Sequence, residues 1–275
     1  MKVGIVGLGL IGASIALSLK DKVDLVVGLD NDLEVLRIAK ERKIIAYGGT
    51  DCQSVLSDVD IVILALYPKA IIKFIQDNQK YWNKNQLIID VAGLKNEIVT
   101  TIQKELPGVE FLGTHPMAGR EISGIKGARE ELFLGSNFII TPTEKNTQES
   151  IVKVKELALL LGVKNIYEMT PVQHDQLIAY TSHLPHLMAL ALVSAYEEGS
   201  EQIVGRSFLD AVRVADINEN LWTELFLANK QSVVTELDKL IAELVDFKKL
   251  IAEDNVLELT EKIRGIKIIK ERIKQ

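Results

Sequence analysis

The chain predicts a doubly wound α/β domain on a parallel sheet, followed by an all-α domain. Three observations carry that prediction: apolar runs of strand length alternate with helix-period segments through the first 169 residues, a glycine-rich turn joins the first run to the first helix, and strand signals stop near residue 170. The strand-like runs fall at 2–6, 25–29, 61–65, 87–90, 111–113 and 138–141. Segments 13–19, 33–42, 71–78 and 97–105 have helical spacing and would cover both faces of the sheet. A polar loop is expected at 142–147, then a helix at 151–161 and a last strand at 166–169. From Val172 onward the apolar pattern is helical throughout, most clearly at 187–196, 221–242 and 256–273. The expected domains are therefore 1–169 and 170–275. Helices this apolar suggest a subunit interface, the alternative being a self-contained bundle.

Composition narrows the functional classes. A chain of 275 residues, 47% hydrophobic and 25% charged, has the make-up of a soluble globular protein with a substantial core. Its net charge of -6, with Lys and Arg interspersed among Asp and Glu, argues against a nucleic-acid partner. Cys52 is the single cysteine, so no intramolecular disulfide forms and it reads as an ordinary small side chain. The N-terminus enters a strand without the features of a signal peptide, which makes a cytoplasmic location the expectation. The longest apolar runs, such as 61–66, fall short of the roughly 20 residues needed to cross a bilayer, so no membrane partner is expected.

The glycine turn reads Gly7-Leu8-Gly9-Leu10-Ile11-Gly12 and lies between a strand and a helix, the context in which GxGxxG binds a dinucleotide. Gly7 would permit the tight turn, Gly9 a close backbone approach to a pyrophosphate, and Gly12 close packing of helix on strand. Amides at the helix start would face the phosphates. This marks the first domain as Rossmann-type. Asp30 ends the second strand, where its carboxylate would accept hydrogen bonds from both adenosine ribose hydroxyls, favouring NAD over a 2′-phosphorylated cofactor. Asp32 is the better candidate to cap the following helix.

Downstream, Gly113-Thr114-His115-Pro116-Met117-Ala118-Gly119-Arg120-Glu121 places His115 between an apolar strand and a cationic turn. Imidazole exchanges protons near neutral pH, so a histidine near a hydride acceptor suggests a dehydrogenase. Two further groupings are Thr181-Ser182-His183-Leu184-Pro185-His186 and the segment from Phe208 to Ala215 that contains Arg213, followed by Trp222. The histidines of SHLPH lack a Cys or further His at ligand spacing, so no metal is expected. His174 reads as a solvent or interface residue, and Trp222 as core or cleft border.

With GLGLIG, Asp30, DVAGLK from Asp90 to Lys95, GTHPMAGRE, SHLPH and the VRVA segment, the chain resembles the prephenate dehydrogenase family over nearly its whole length. The resemblance implies an NAD-binding domain, a helical dimerisation domain forming a homodimer, and oxidative decarboxylation of prephenate to 4-hydroxyphenylpyruvate in tyrosine biosynthesis. His115 matches the catalytic histidine that takes the C4 hydroxyl proton, and Arg213 the arginine that holds a substrate carboxylate. Ser182 and His186 match active-site positions, and Glu121 an acidic residue that gates or polarises the pocket. Two positions depart from the pattern. Gly93 stands where many members have a serine contacting the catalytic histidine, so that contact is expected to be missing or replaced by water. Leu209 occupies an often basic position, with Arg120 the nearest compensating cation. Arogenate is the rival substrate. A β-hydroxyacid dehydrogenase would need a lysine motif in the helical domain that does not stand out, and a nucleotide-sensing module without catalysis is the reading from another class.

Overall fold

The computed structural model describes residues 1–106, 108–120, 122 and 124–273. The chain forms two compact units, Met1–Asn229 and Lys230–Gln275. In the first, strands β1 (Lys2–Val6), β2 (Leu25–Leu29), β3 (Tyr47–Gly49), β4 (Ile61–Leu64), β5 (Leu87–Asp90), β6 (Glu110–Met117), β7 (Asn137–Thr141) and β8 (Asn165–Glu168) build one sheet. Their order is β3-β2-β1-β4-β5-β6-β7-β8, and its first six strands follow the order of dinucleotide-binding sheets, with the reversal of direction between β1 and β4. Helices α1 (Leu10–Leu19), α2 (Leu33–Glu41), α3 (Cys52–Leu56), α4 (Pro68–Asp77), α5 (Asn96–Glu105) and α6 (Gln148–Leu160) connect the strands.

The strands are apolar on both faces because both faces are covered. Ile61 and Ile63 join the core cluster with Ile15 and Leu157, whereas Val62 and Leu64 join the opposite one with Ile71, Ile98 and Phe111. That alternation is the period of two expected of a strand between two helix layers.

The sheet departs from the sequence expectation in the direction of β7, which runs antiparallel to β6, pairing His115 with Ile139 and Pro116 with Phe138. A parallel return needs a crossover of a dozen or more residues, usually a helix, but between β6 and β7 the described residues form only the short 3-10 turns Ile125–Gly127 and Glu130–Phe133. Strand β3 and helix α3 were also not expected. At three and five residues, both are too short to show a period.

Past the sheet, Thr170 and Gln173 form a capping box, and Pro171 opens helix α7 (Pro171–Ile178). The chain continues through a π-turn (Ala179–His183) into α8 (Leu184–Ser194), then α9 (Arg206–Val212) and α10 (Glu219–Ala228). The π-turn has a local cause: Pro185 has no N–H for the Thr181 carbonyl and its ring would clash there, so the backbone widens and the Leu184 N–H bonds back to Ala179 O. The stretch 171–194 is 24 residues with mean hydropathy 1.3 in its most apolar window, long enough to cross a bilayer by length and composition alone. Run length had understated it, because polar residues punctuate the sequence. Its Asp175 is instead bonded to backbone amides of the sheet domain.

The helix expected at 221–242 is two: α10 ends at Asn229, whose side chain donates to Asp175 O (2.7 Å), and α11 (Lys230–Ala252) begins anew. The second unit consists of α11 and α12 (Val256–Ile273), turned at Asp254 (φ 48°). Within it, Lys262 of α12 reaches Glu243 and Asp246 of α11 at 2.7 Å each. Large apolar side chains are exposed on α8 (Met188, Leu192, Val193) and, in the second unit, on both helices (Leu244, Val245, Ile266, Ile269).

Candidate active site

At the carboxyl end of β1 the glycine turn closes over the reversal point. Gly7 takes φ +86°, and a Cβ there would lie 2.5 Å from Ala65 O just after β4. A Cβ on Gly12 would lie 1.9 Å from Gly7 O, whereas one on Gly9 would meet nothing within 4 Å. The turn is thus tight at its ends and open at its middle, and α1 starts without a side-chain cap on its amides. Such a cradle fits a pyrophosphate. Leu8 is fully buried, while Leu10 and Ile11 are half-buried. Asp30 accepts from Leu8 N (2.7 Å) through one oxygen and from Asp32 N (3.0 Å) through the other. Asp32 caps α2 through Glu34 N (2.8 Å). Gly12→Ala is expected to displace the turn, weakening NAD affinity by more than about 10-fold and lowering the melting temperature, as titration and calorimetry would read; an unchanged affinity would contradict the cradle.

Three strands across, β6 carries His115 past the last β5–β6 pair, Asp90 with Gly113. It sits at the same carboxyl end of the sheet as the glycine turn, roughly 14 Å away by strand spacing. His115 Nδ1 lies 2.9 Å from His174 Nε2, and His174 Nδ1 lies 2.7 Å from Asp175 Oδ1. The Asp175 carboxylate also accepts from Lys95 N and Asn96 N, 2.9 Å each, and so caps α5, which has no side-chain cap of its own. His174 is fully buried, contrary to the solvent or interface position expected of it, because Asp175 and His115 together satisfy both ring nitrogens. A Cβ on Gly93 would face Leu225, at 3.7 Å, and the neighbour at His115 Nδ1 is a second imidazole, that of His174.

Beneath this group, the Lys95 ammonium and Asp90 carboxylate form a fully buried ion pair. Lys95 also donates to Thr114 O (2.7 Å), and Asp90 accepts from Ala92 N (3.0 Å). Burial pushes the Asp90 carboxyl up and the Lys95 ammonium down, each opposed by the attraction of the other. Burial, then the charges of His174, Lys95 and His183, holds His115 well below the usual imidazole range. Burial also lowers His174, against the pull of its bond to Asp175. The site therefore keeps its imidazoles neutral.

The helical side brings further groups. His183, pushed down to about 4 by burial, sits edge-on to Trp222 and Phe226, and its Nδ1 has no hydrogen-bond partner. His186 donates from Nδ1 to Ser182 O (2.7 Å) and packs on Trp222 with ring centroids 3.7 Å apart. Burial lowers its pKa, and the Arg213 charge contributes in the same direction. Trp222 stacks on His186 and packs against the small core of Leu94, Ile178 and Leu225. Ser182 is half-buried, Arg213 opens the turn after α9, and Arg120 is half-buried in the loop after β6. On α9, Asp210 lies 3.7 Å from Arg206. Glu121 lies outside the described residues. Among those described, no group of three or more His, Cys, Asp or Glu could hold a metal.

Sequence reasoning missed His174, Asp175, Lys95 and Asp90 as a connected set. The available signal was a His-Asp pair on the first turns of a helix and a charged residue at each end of DVAGLK, otherwise apolar.

Comparison with known proteins bears on this arrangement. Residues 15–167 match the family "Prephenate dehydrogenase, nucleotide-binding domain", and residues 170–265 match "Prephenate dehydrogenase, dimerization domain". A cyclohexadienyl dehydrogenase of Zymomonas mobilis is 30% identical over 92% of this chain and 89% of its own length. The crystal structure of prephenate dehydrogenase from A. aeolicus, in complex with hydroxyphenyl propionate and NAD+, superposes with a TM-score of 0.91 at 28% identity, covering 99% of this chain and 98% of that one. Synechocystis arogenate dehydrogenase gives 0.87 at 29% identity, covering 99% and 100%.

Proposed function

Because the chain belongs to the prephenate dehydrogenase family, we propose that it catalyses NAD-dependent oxidative decarboxylation of prephenate to 4-hydroxyphenylpyruvate and CO2, a step toward tyrosine. The observation that supports this reading best is His115: a neutral imidazole at the carboxyl end of the sheet, the end that carries the glycine turn, with its Nδ1 already engaged. Bound NAD would accept the hydride from ring C4. His115 takes the C4 hydroxyl proton at Nε2 and can return it to the phenol oxygen once the ring carboxylate has left as CO2 and the ring is aromatic. Asp30 and the turn from Gly7 to Gly12 would hold the cofactor. Arg213 holds a substrate carboxylate, with Arg120 and Glu121 as further substrate contacts and Ser182 and His186 as hydrogen-bonding groups of the pocket. The domain division at 169/170, a cytoplasmic location and a homodimer through the helical domain belong to the same reading, the last supported by the exposed apolar residues of α8 and of the second unit.

Arogenate is the second reading, supported by the Synechocystis enzyme, whose 29% identity to this chain is close to the 28% of the A. aeolicus enzyme. The test is NADH formation by pure protein with prephenate and arogenate, each with NAD and NADP. Prephenate with NAD should give the highest kcat/KM, and no turnover in any combination would reject the proposal. Arg213→Ala should raise the prephenate KM by about 10- to 100-fold with a smaller change in kcat, the loss expected of one charge-assisted carboxylate contact. An unchanged KM would move the anchor to Arg120.

A further inference from the structure

We propose that His174 is the positioning residue for His115: held by Asp175, it fixes the His115 ring in the Nδ1–H tautomer and turns Nε2 toward the substrate. The inference rests on the reading of His115 as the base, and it follows from the order of donors and acceptors. Asp175 already accepts two backbone N–H bonds, from Lys95 and Asn96, so its oxygens act as acceptors in this cluster and His174 Nδ1 donates to it. A neutral His174 then has only a lone pair at Nε2, 2.9 Å from His115 Nδ1. His115 must donate there, which leaves its own lone pair at Nε2, the nitrogen able to take a proton. The alternative, a cationic His174 donating at both nitrogens, would bury a second charge beside Lys95 and is opposed by burial.

The arrangement has three rigid supports. Asp175 is pinned by the N-terminal amides of α5, its own carbonyl accepts from Asn229 Nδ2 (2.7 Å), and the capping box fixes the start of α7 one turn earlier. His115 is on a central β-ladder, paired with Ile139. The imidazole is thereby oriented by groups from a strand and a helix rather than by a mobile loop, as precise proton transfer requires.

The deciding experiment reads the tautomer directly, by two-bond 1H–15N correlation of the histidine rings, in the full chain. His115 resonances are assigned with His115→Asn, and kcat and KM are measured for His174→Phe and His174→Gln. The wild type should show His115 protonated at Nδ1. His174→Phe, which removes the acceptor, should shift His115 toward Nε2–H and lower kcat by roughly 10- to 100-fold with KM changed much less. His174→Gln, whose amide oxygen can accept from the same N–H, should restore the tautomer and most of kcat. An Nε2–H tautomer in the wild type overturns the proposal, as do a tautomer and kcat unchanged in both variants. The spectrum of the wild-type protein decides even if a variant fails to fold. It also separates this inference from the reading it rests on: an Nδ1–H tautomer without turnover on any tested substrate would reject the activity and leave the positioning intact.

Discussion

His115→Asn is expected to lower kcat by about 10²- to 10⁴-fold while leaving NAD affinity within a few-fold of wild type, as steady-state kinetics and NAD titration would show. Asparagine keeps a donor close to the position of Nδ1 but has no basic nitrogen, so the loss falls on proton removal. The cofactor cradle lies three strands away and should not respond. The pH profile gives the same residue a second signature. Burial and the charges of His174, Lys95 and His183 lower the His115 pKa, so the neutral, active form persists below the ordinary imidazole value of 6.5. As pH falls, kcat/KM should therefore hold through 6.5 and decline only well below it. A decline centred at or above 6.5 would contradict the electrostatics of the site.

Lys95→Met is expected to cost about 3–5 kcal/mol of stability, read by urea unfolding, because it strands the Asp90 carboxylate in a site closed to water. The ammonium also bonds to Thr114 O, one residue before His115, so the loss extends to the strand that carries the base. Asp90→Asn combined with Lys95→Met should recover a large part of the loss, since an amide costs less to bury than an unpaired charge. Equal losses in the single and double variants would mean that packing, not charge, sets the effect. The substitution also removes a positive charge that disfavours His115 protonation, so the acid limb of kcat/KM should move up toward 6.5. Stability and pH profile would then be linked through one buried ammonium.

Much of the sheet was legible because its signals are local. Strands β1, β2 and β5 fall on the residues expected, since a strand buried on both faces writes a continuous apolar run bounded by turn residues. β4 ends one residue earlier than expected, at Leu64. The direction of β7 was not legible, because an apolar run has the same composition whichever way it crosses the sheet. The interruption of the expected helix at Asn229 was equally hidden. Apolar spacing continues across it, and the break is fixed by a bond to Asp175, 54 residues away.

By itself, the sequence determined which residue types are present for the chemistry and where the dinucleotide turn lies. Glycines at three spaced positions and an acid at the end of the second strand act through backbone geometry within one β-α-β unit, so their meaning is carried by spacing. The sequence also pointed to His115 and, through Gly93, to a missing neighbour. Only the tertiary structure decided which group stands at His115 Nδ1. His174 is 59 residues from His115 along the chain, and Asp175 is 80 from Lys95, yet the two imidazoles meet at 2.9 Å and the Lys95 N–H donates to the Asp175 carboxylate at the same distance. Hydrogen bonds and buried charges depend on distance and dielectric in three dimensions. No local pattern records them until the helix after the sheet folds back on the strand edge.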